Sequence, residues 1–253
     1  AIVPAASSGF ARELARLCAA NGYDLILVAR HEAQLETVAA EIRSASQRAV
    51  RIIVDELSDA GASQRIFAAT TSELGGIEML INNAGVGMLG FFADLDMQKQ
   101  MDMLQLNVNA LTHLCRLYAP GMIARKKGYI LNVASTAAFQ PGPLMAVYYA
   151  SKAYVVSFSE ALHNELKDAG VTVTVLCPGP TTTEFQKRAR MESTKLFAGG
   201  NAMDAAKVAE IGYAAMQKGK SLVVAGARNA LMAFGTRFAP RQMAAGLARK
   251  MQE

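Results

Sequence analysis

No uninterrupted apolar run in the 253 residues reaches the ~18 that a membrane-spanning helix requires, so no transmembrane segment is expected. The opening stretch AIVPAASS is already apolar and strand-like and carries no basic leader, so no signal peptide is expected either. Cysteine is scarce. Cys18, Cys115 and Cys177 are odd in number and scattered through apolar segments, the pattern of buried reduced thiols in a cytoplasmic protein rather than of a disulfide framework. His31, His113 and His163 have no metal-ligand spacing, and no Cys/His cluster accompanies them, so a metal site is not expected. Ser135 lacks the Gly-x-Ser-x-Gly elbow of a serine hydrolase. No Pro/Gly/Ser-rich linker and no internal repeat divides the chain, which is read as one domain, residues 1–253, with enough length to bury a sizeable core.

What is present is ordinary globular composition, 52% hydrophobic and 19% charged, with an uneven charge distribution. Residues 186–253 hold twelve Lys and Arg against four Asp and Glu, a net +8, while the first 185 residues carry a net −3. Nucleic-acid binding would need stacking aromatics among those basic residues. Only Phe197, Tyr213, Phe234 and Phe238 are available, so no nucleic-acid partner is expected. A solvated basic face is the default reading, with an anionic substrate or a membrane surface as the alternative.

Short apolar or β-branched runs alternate with helical patterns. Strands are expected near 1–4, 24–29, 50–54, 79–82, 129–134, 171–177 and 221–225, and helices over 10–20, 32–44, 60–74, 97–124, 147–169 and 204–218. Strands separated by helices imply right-handed crossovers. The fold class is therefore α/β: a Rossmann-type doubly wound parallel sheet of about seven strands, covered by helices on both faces. In such a sheet ligands bind at the carboxyl ends of the strands.

The stretch from Asn132 to Lys152, NVASTAAFQPGPLMAVYYASK, carries the chemistry. If Tyr148 opens a helix, Lys152 four residues on shares its face. A phenol titrates near pH ~10, and a neighbouring ammonium favours its ionised form. Such a phenol can give a proton to a carbonyl oxygen or take one from an alcohol. Ser135, at the end of the preceding strand, can hydrogen-bond the same oxygen.

The Ser-x12-Tyr-x3-Lys spacing after the strand GYILNVAS resembles the catalytic core of the classical short-chain dehydrogenase/reductase family. The resemblance extends to about Ala225 and implies a nicotinamide cofactor. It casts Tyr148 as the acid/base, Ser135 as the group polarising the carbonyl, and Lys152 as the cation beside Tyr148 and the nicotinamide ribose. Asn107, in the L-N-V context at a bend of the long fourth helix, would hold a relay water. INNAG (Ile81–Gly85) matches the family's strand-to-turn signature, placing Asn83 and Gly85 along the adenine ribose. Pro178 and Gly179 match the turn against the nicotinamide, with Thr183 or its neighbour Thr181 at the carboxamide. Glu56-Leu57 matches the family's Asp-Leu near the adenine, with Asp55 as a competitor. Arg30 stands at the second strand end where the family's NAD-selecting acid would be, and its guanidinium suits the 2′-phosphate of NADP. NADP (NADPH) is therefore favoured over NAD.

The departure from the pattern is the phosphate turn. The family has Thr-Gly-x3-Gly-x-Gly; here the chain reads Pro4-Ala5-Ala6-Ser7-Ser8-Gly9-Phe10-Ala11. Only Gly9, the middle glycine, remains, and this degenerate glycine-rich turn leaves Ser7, Ser8, Gly9 and Phe10 to meet the pyrophosphate. Ala5 would be strained if its φ is positive, and Pro4 has no N–H to give a central strand.

Residues 186–202 are where the family builds its substrate lid, and residues 228–253 form a basic amphipathic C-terminal segment divided at Pro240. In that segment Leu231, Phe234 and Phe238, then Met243, Leu247 and Met251, recur at helical spacing, while Arg237, Arg241 and Arg249 fall elsewhere. Packing on its own domain or on a subunit is the default reading, and membrane-surface contact is the alternative. The resemblance also implies a homodimer or homotetramer paired through the helices of 97–124 and 147–169. The function expected is hydride transfer between NADP(H) and a small-molecule carbonyl or secondary alcohol. The alternative is a non-catalytic binding or regulatory relative with weakened cofactor binding.

Overall fold

The computed structural model describes residues 1–7, 9–71, 76–183, 185–189, 194 and 202–252. Seven parallel strands form one sheet in the order β3-β2-β1-β4-β5-β6-β7. They are β1 (Ile2–Pro4), β2 (Leu25–Ala29), β3 (Val50–Val54), β4 (Met79–Asn82), β5 (Gly128–Val133), β6 (Val171–Cys177) and β7 (Leu222–Val224). The chain winds outward from β1 to β3, then returns to lay β4 on the other side of β1. This reversal splays the connections apart between β1 and β4, which opens a crevice at their carboxyl ends.

Alternation of side chains along each strand builds two cores. Val3, Leu27, Ile81, Leu131 and Leu176 face α1 (Gly9–Ala20), α2 (Glu32–Ser46) and a helix over Ala205–Gln217. Ile2, Ile26, Leu80, Ile130 and Val175 face the opposite layer, made by α3 (Ala62–Thr71), α5 (Leu111–Ala124) and α6 (Ala146–Leu166). Because both faces are covered, the strands read as continuous apolar runs.

The long helix expected over 97–124 is interrupted. After α4 (Met97–Leu104) the chain widens into a π-helical stretch, Gln105–Ala110, before α5 begins. The remaining helices are a short turn α7 (Phe185–Arg188), α8 (Ala205–Gln217), α9 (Ala227–Gly235) and α10 (Arg241–Gln252), the last two separated at Pro240. Among the described residues no helix is long and apolar enough to cross a membrane. The three cysteines are buried thiols, each pushed up to about 12 by burial.

The opening turn shows the strain its sequence implies. Ala5 has φ 58°, a left-handed conformation that costs a side-chain-bearing residue. Strand β1 pairs with β2 through three residues but with β4 only through Ile2, and Pro4 has no N–H to extend that second ladder. Ala5→Gly is therefore expected to raise the unfolding free energy by about 0.5–1 kcal/mol, the relief of strain less the added freedom of the unfolded glycine. Urea denaturation measures this, and a destabilised variant would show that Ala5 is not strained.

Candidate active site

One cleft of about 1230 Å³ lies along the carboxyl ends of the strands. Each strand-to-helix connection sends residues into it: Ser7, Gly9 and Phe10 after β1, Arg30 after β2, Glu56 and Leu57 after β3, Asn83 and Gly85 after β4, and Ser135 after β5. Pro178, Gly179, Thr181 and Thr183 follow β6. Tyr148 and Lys152 enter from the first turns of α6. Ser8 and most of the segment 186–202 lie outside the described residues.

Asn107 sits in the π-helical stretch and is buried. Its Oδ1 accepts from the Val86 N–H at 2.9 Å, and its Nδ2 donates to the Val86 carbonyl at 2.9 Å and to Ser151 Oγ at 3.1 Å. Ser151 in turn donates to the Tyr148 carbonyl at 2.7 Å. One amide thus joins the loop after β4, the widened helix and α6. Gly85 lies where these parts converge: a Cβ there would come within 3.1 Å of Lys152 Nζ and 3.4 Å of Asn107 Oδ1. The backbone passes close to the ammonium only because Gly85 has no side chain.

Lys152 is buried and donates to the Val133 carbonyl at 2.9 Å. Its Nζ is 5.9 Å from the centroid of the Tyr148 ring. Burial lowers its pKa from 10.5 to about 8. Tyr148 is enclosed by Phe185 and Tyr149, with ring centroids 5.4 and 6.1 Å away. Burial pushes its pKa up to about 12, and the side chain of Ser135 opposes the rise. The expected lowering by Lys152 is therefore not what governs this phenol. Desolvation between two aromatic rings does, and the ammonium spends a proton on a strand carbonyl instead.

Ser135, two residues beyond β5, is in extended conformation and caps a short 3-10 turn, its Oγ accepting from the Ala137 N–H at 3.1 Å. Beneath it, buried Asn132 accepts from Asn82 Nδ2 at 2.8 Å and donates to Ser159 Oγ at 2.9 Å, tying β4, β5 and α6 together.

At the other end, Arg30 pairs with Glu56 at 3.2 Å, so two residues expected to meet different parts of a nucleotide hold each other. Asp55 is bound by Arg65. Gly9 has φ 59°, a conformation that favours glycine, and the Thr183 methyl lies against it. Thr181 Oγ1 donates to the Gly179 carbonyl at 2.9 Å.

The cleft fits an elongated dinucleotide: it has the start of a helix at Gly9, a guanidinium at Arg30, and glycine backbone at Gly85 and Gly179 with no Cβ projecting inward. Sequence reasoning missed Phe185, Tyr149, Met145 and Gln252, which line the same cleft. Gln252 Nε2 donates to Tyr149 Oη at 2.8 Å across 103 residues of chain. The Met243, Leu247 and Met251 stripe was the available signal. Its residues line the mouth of the cleft.

A doubly wound sheet with this crevice defines a nucleotide-binding class. The short chain dehydrogenase family model matches residues 1–194, and the chain belongs to that family. A very-long-chain 3-oxoacyl-CoA reductase of Anas platyrhynchos is 34% identical over 193 residues, 74% of this chain and 61% of that protein. A short chain dehydrogenase of Pseudocercospora fijiensis is 34% identical over 187 residues, 73% of this chain and 60% of that protein. The chain thus matches somewhat under two thirds of the length of these relatives. Among solved structures, a short-chain dehydrogenase from Sphingobium yanoikuyae in complex with NADPH superposes with TM-score 0.84 at 28% identity, covering 94% of this chain and 92% of the other. A Burkholderia phymatum relative in complex with NAD gives TM-score 0.83 at 26% identity, covering 100% and 95%.

The burial of Lys152 has a consequence for stability. Below its folded pKa of about 8 both folded and unfolded chains carry the proton, and the cost of burying the cation is fully present. Between about 8 and 10.5 the unfolded chain holds more protons at this residue than the folded one, so this group's contribution to stability improves as pH rises. Lys152→Met lacks that gain. The stability of the variant minus that of the wild type should fall between pH ~7 and ~9.5 in chemical denaturation, and a difference independent of pH would contradict the burial of a cation here.

Proposed function

We propose that the chain is an NADP(H)-dependent oxidoreductase acting on a carbonyl compound or the matching secondary alcohol, with Tyr148 as the general acid/base. The observation that carries this is the meeting of Ser135, Tyr148 and Lys152 with Gly9, Arg30, Asn83, Gly85 and Pro178–Thr183 along one cleft. A bound nicotinamide nucleotide would supply or accept the hydride. Ser7, Gly9 and Phe10 would hold its pyrophosphate, Arg30 a 2′-phosphate, Asn83 and Gly85 the adenine-side ribose, and Lys152 the nicotinamide-side ribose. Pro178, Gly179, Thr181 and Thr183 would hold the nicotinamide.

The protein's own part is proton movement and orientation. A phenol raised to about 12 is protonated at neutral pH, which equips Tyr148 to donate to a carbonyl oxygen. Ser135, whose hydroxyl acts on Tyr148 so as to favour its ionised form, would direct that oxygen toward the phenol. Asn107 fixes the loop and helix that carry Gly85 and Lys152, and the Tyr149 and Phe185 rings keep water from the phenol. The exposed Met97, Met101, Ile123 and Tyr154 support subunit pairing through α4, α5 and α6.

Tyr148→Phe should lower reduction of acetophenone by about 10²–10⁴-fold while NADPH binding, followed by nicotinamide fluorescence, stays at wild-type strength. Turnover retained in that variant would remove Tyr148 from the chemistry. Loss of the guanidinium in Arg30→Ala should weaken NADPH about ten-fold or more relative to NADH in the same titration. An unchanged preference would remove Arg30 from cofactor selection.

A further inference from the structure

Helices α9 and α10 expose more large apolar surface than their place beside a covered sheet requires. Leu231 is 71% exposed, Phe234 55%, Phe238 75%, Met243 69% and Leu247 58%. These side chains belong to two consecutive helices and the turn that joins them. Phe234 and Phe238 pack edge to face with centroids 5.2 Å apart, and Met243 and Leu247 lie one turn apart on α10. The neighbouring loop joins it: the Arg249 guanidinium lies 5.8 Å from the ring centroid of Phe91, itself an exposed aromatic.

The charge on this segment has one sign. Residues 227–252 contain Arg228, Arg237, Arg241, Arg249 and Lys250 and no Asp or Glu. An isologous contact between two copies would bring these cations against each other, which disfavours a second copy as the occupant. A surface of anionic headgroups over an apolar interior matches both features at once. Helices of nine and twelve residues are too short to cross a bilayer and are suited to lying in its interface.

We propose that α9 and α10 form a docking surface for an anionic lipid membrane. The placement gives it a purpose. Met232, Met243, Leu247 and Met251 belong both to these helices and to the lining of the catalytic cleft, so the cleft mouth opens at the docked face. An apolar carbonyl substrate dissolved in the bilayer then enters the cleft without crossing water. This use of the surface rests on the proposed reductase activity; the docking itself does not.

Flotation of the purified protein with vesicles of phosphatidylcholine alone, or of phosphatidylcholine with phosphatidylglycerol, tests the proposal. Binding is expected to the anionic vesicles, weakened by high salt. The triple variant Leu231→Asp, Phe234→Asp, Phe238→Asp alters exposed side chains outside the cleft lining, and should lose about ten-fold or more of the vesicle-bound fraction. Acetophenone reduction by that variant should remain at the wild-type rate, which also shows that it folds. A milder pair, Arg237→Gln and Arg241→Gln, should reduce binding to anionic vesicles in the same direction. Absence of flotation with anionic vesicles, or equal flotation of the triple variant, would overturn the proposal. So would a drop in oligomer mass on sedimentation of the triple variant without vesicle binding by the wild type, which would assign the face to self-association. Failure of catalysis in every variant and the wild type, with flotation as expected, would instead count against the reductase reading alone.

Discussion

The clasp that Asn107 places on Val86 is the interaction on which the catalytic end of this molecule depends. A side-chain amide pairs with both backbone polar groups of one residue and still has a proton for Ser151. Each of those groups is buried or half-buried, and each would be costly to leave unpaired. The clasp is made from within the widened turn of helix between α4 and α5, where Asn107 faces the loop after β4. It also fixes Gly85 beside Lys152, and through Ser151 it secures the first turns of α6, where Tyr148 sits. Apolar packing places the strands; this polar junction sets the distances between the groups they deliver.

Burial then sets the chemistry of those groups. Tyr148 and Lys152 are near neighbours, yet each is governed first by loss of water, the phenol toward its neutral form and the ammonium toward release of its proton. A neutral phenol with a serine side chain beside it has the proton that the proposed reduction requires. The Arg30–Glu56 pair at the far end has a similar logic. The guanidinium is held by a carboxylate, and under the proposed reading a 2′-phosphate binding there would compete with that carboxylate for it.

Strand positions were legible in the sequence because a sheet covered on both faces needs continuous apolar runs; the strands end at Pro4, Ala29, Val54, Asn82 and Cys177 where the runs do, and at Val133 and Val224 one residue earlier. The placement of candidate residues was legible where spacing maps directly to geometry, as for Tyr148 and Lys152 on α6. Three features were not. The π-helical stretch has no Pro or Gly to announce it, and the bond Asn107 makes from it to Val86 is tertiary. The phenol's pKa depends on Phe185 and Tyr149, and the distant Phe185 ring is brought there only by the fold. The apolar stripe of residues 243–251 was visible, but its register against the cleft follows from contacts such as Gln252 with Tyr149 that no local pattern encodes.

The central claim is that this cleft separates a hydride from a proton, with the proton supplied by Tyr148. Its most direct test follows the atoms. Acetophenone would be reduced in ordinary water with NADPH deuterated at nicotinamide C4, on one ring face and then on the other, and the alcohol analysed by mass spectrometry. The account predicts one deuterium on the carbinol carbon from one of the two labelled forms and none from the other. Alcohol formed without label from either form would contradict it.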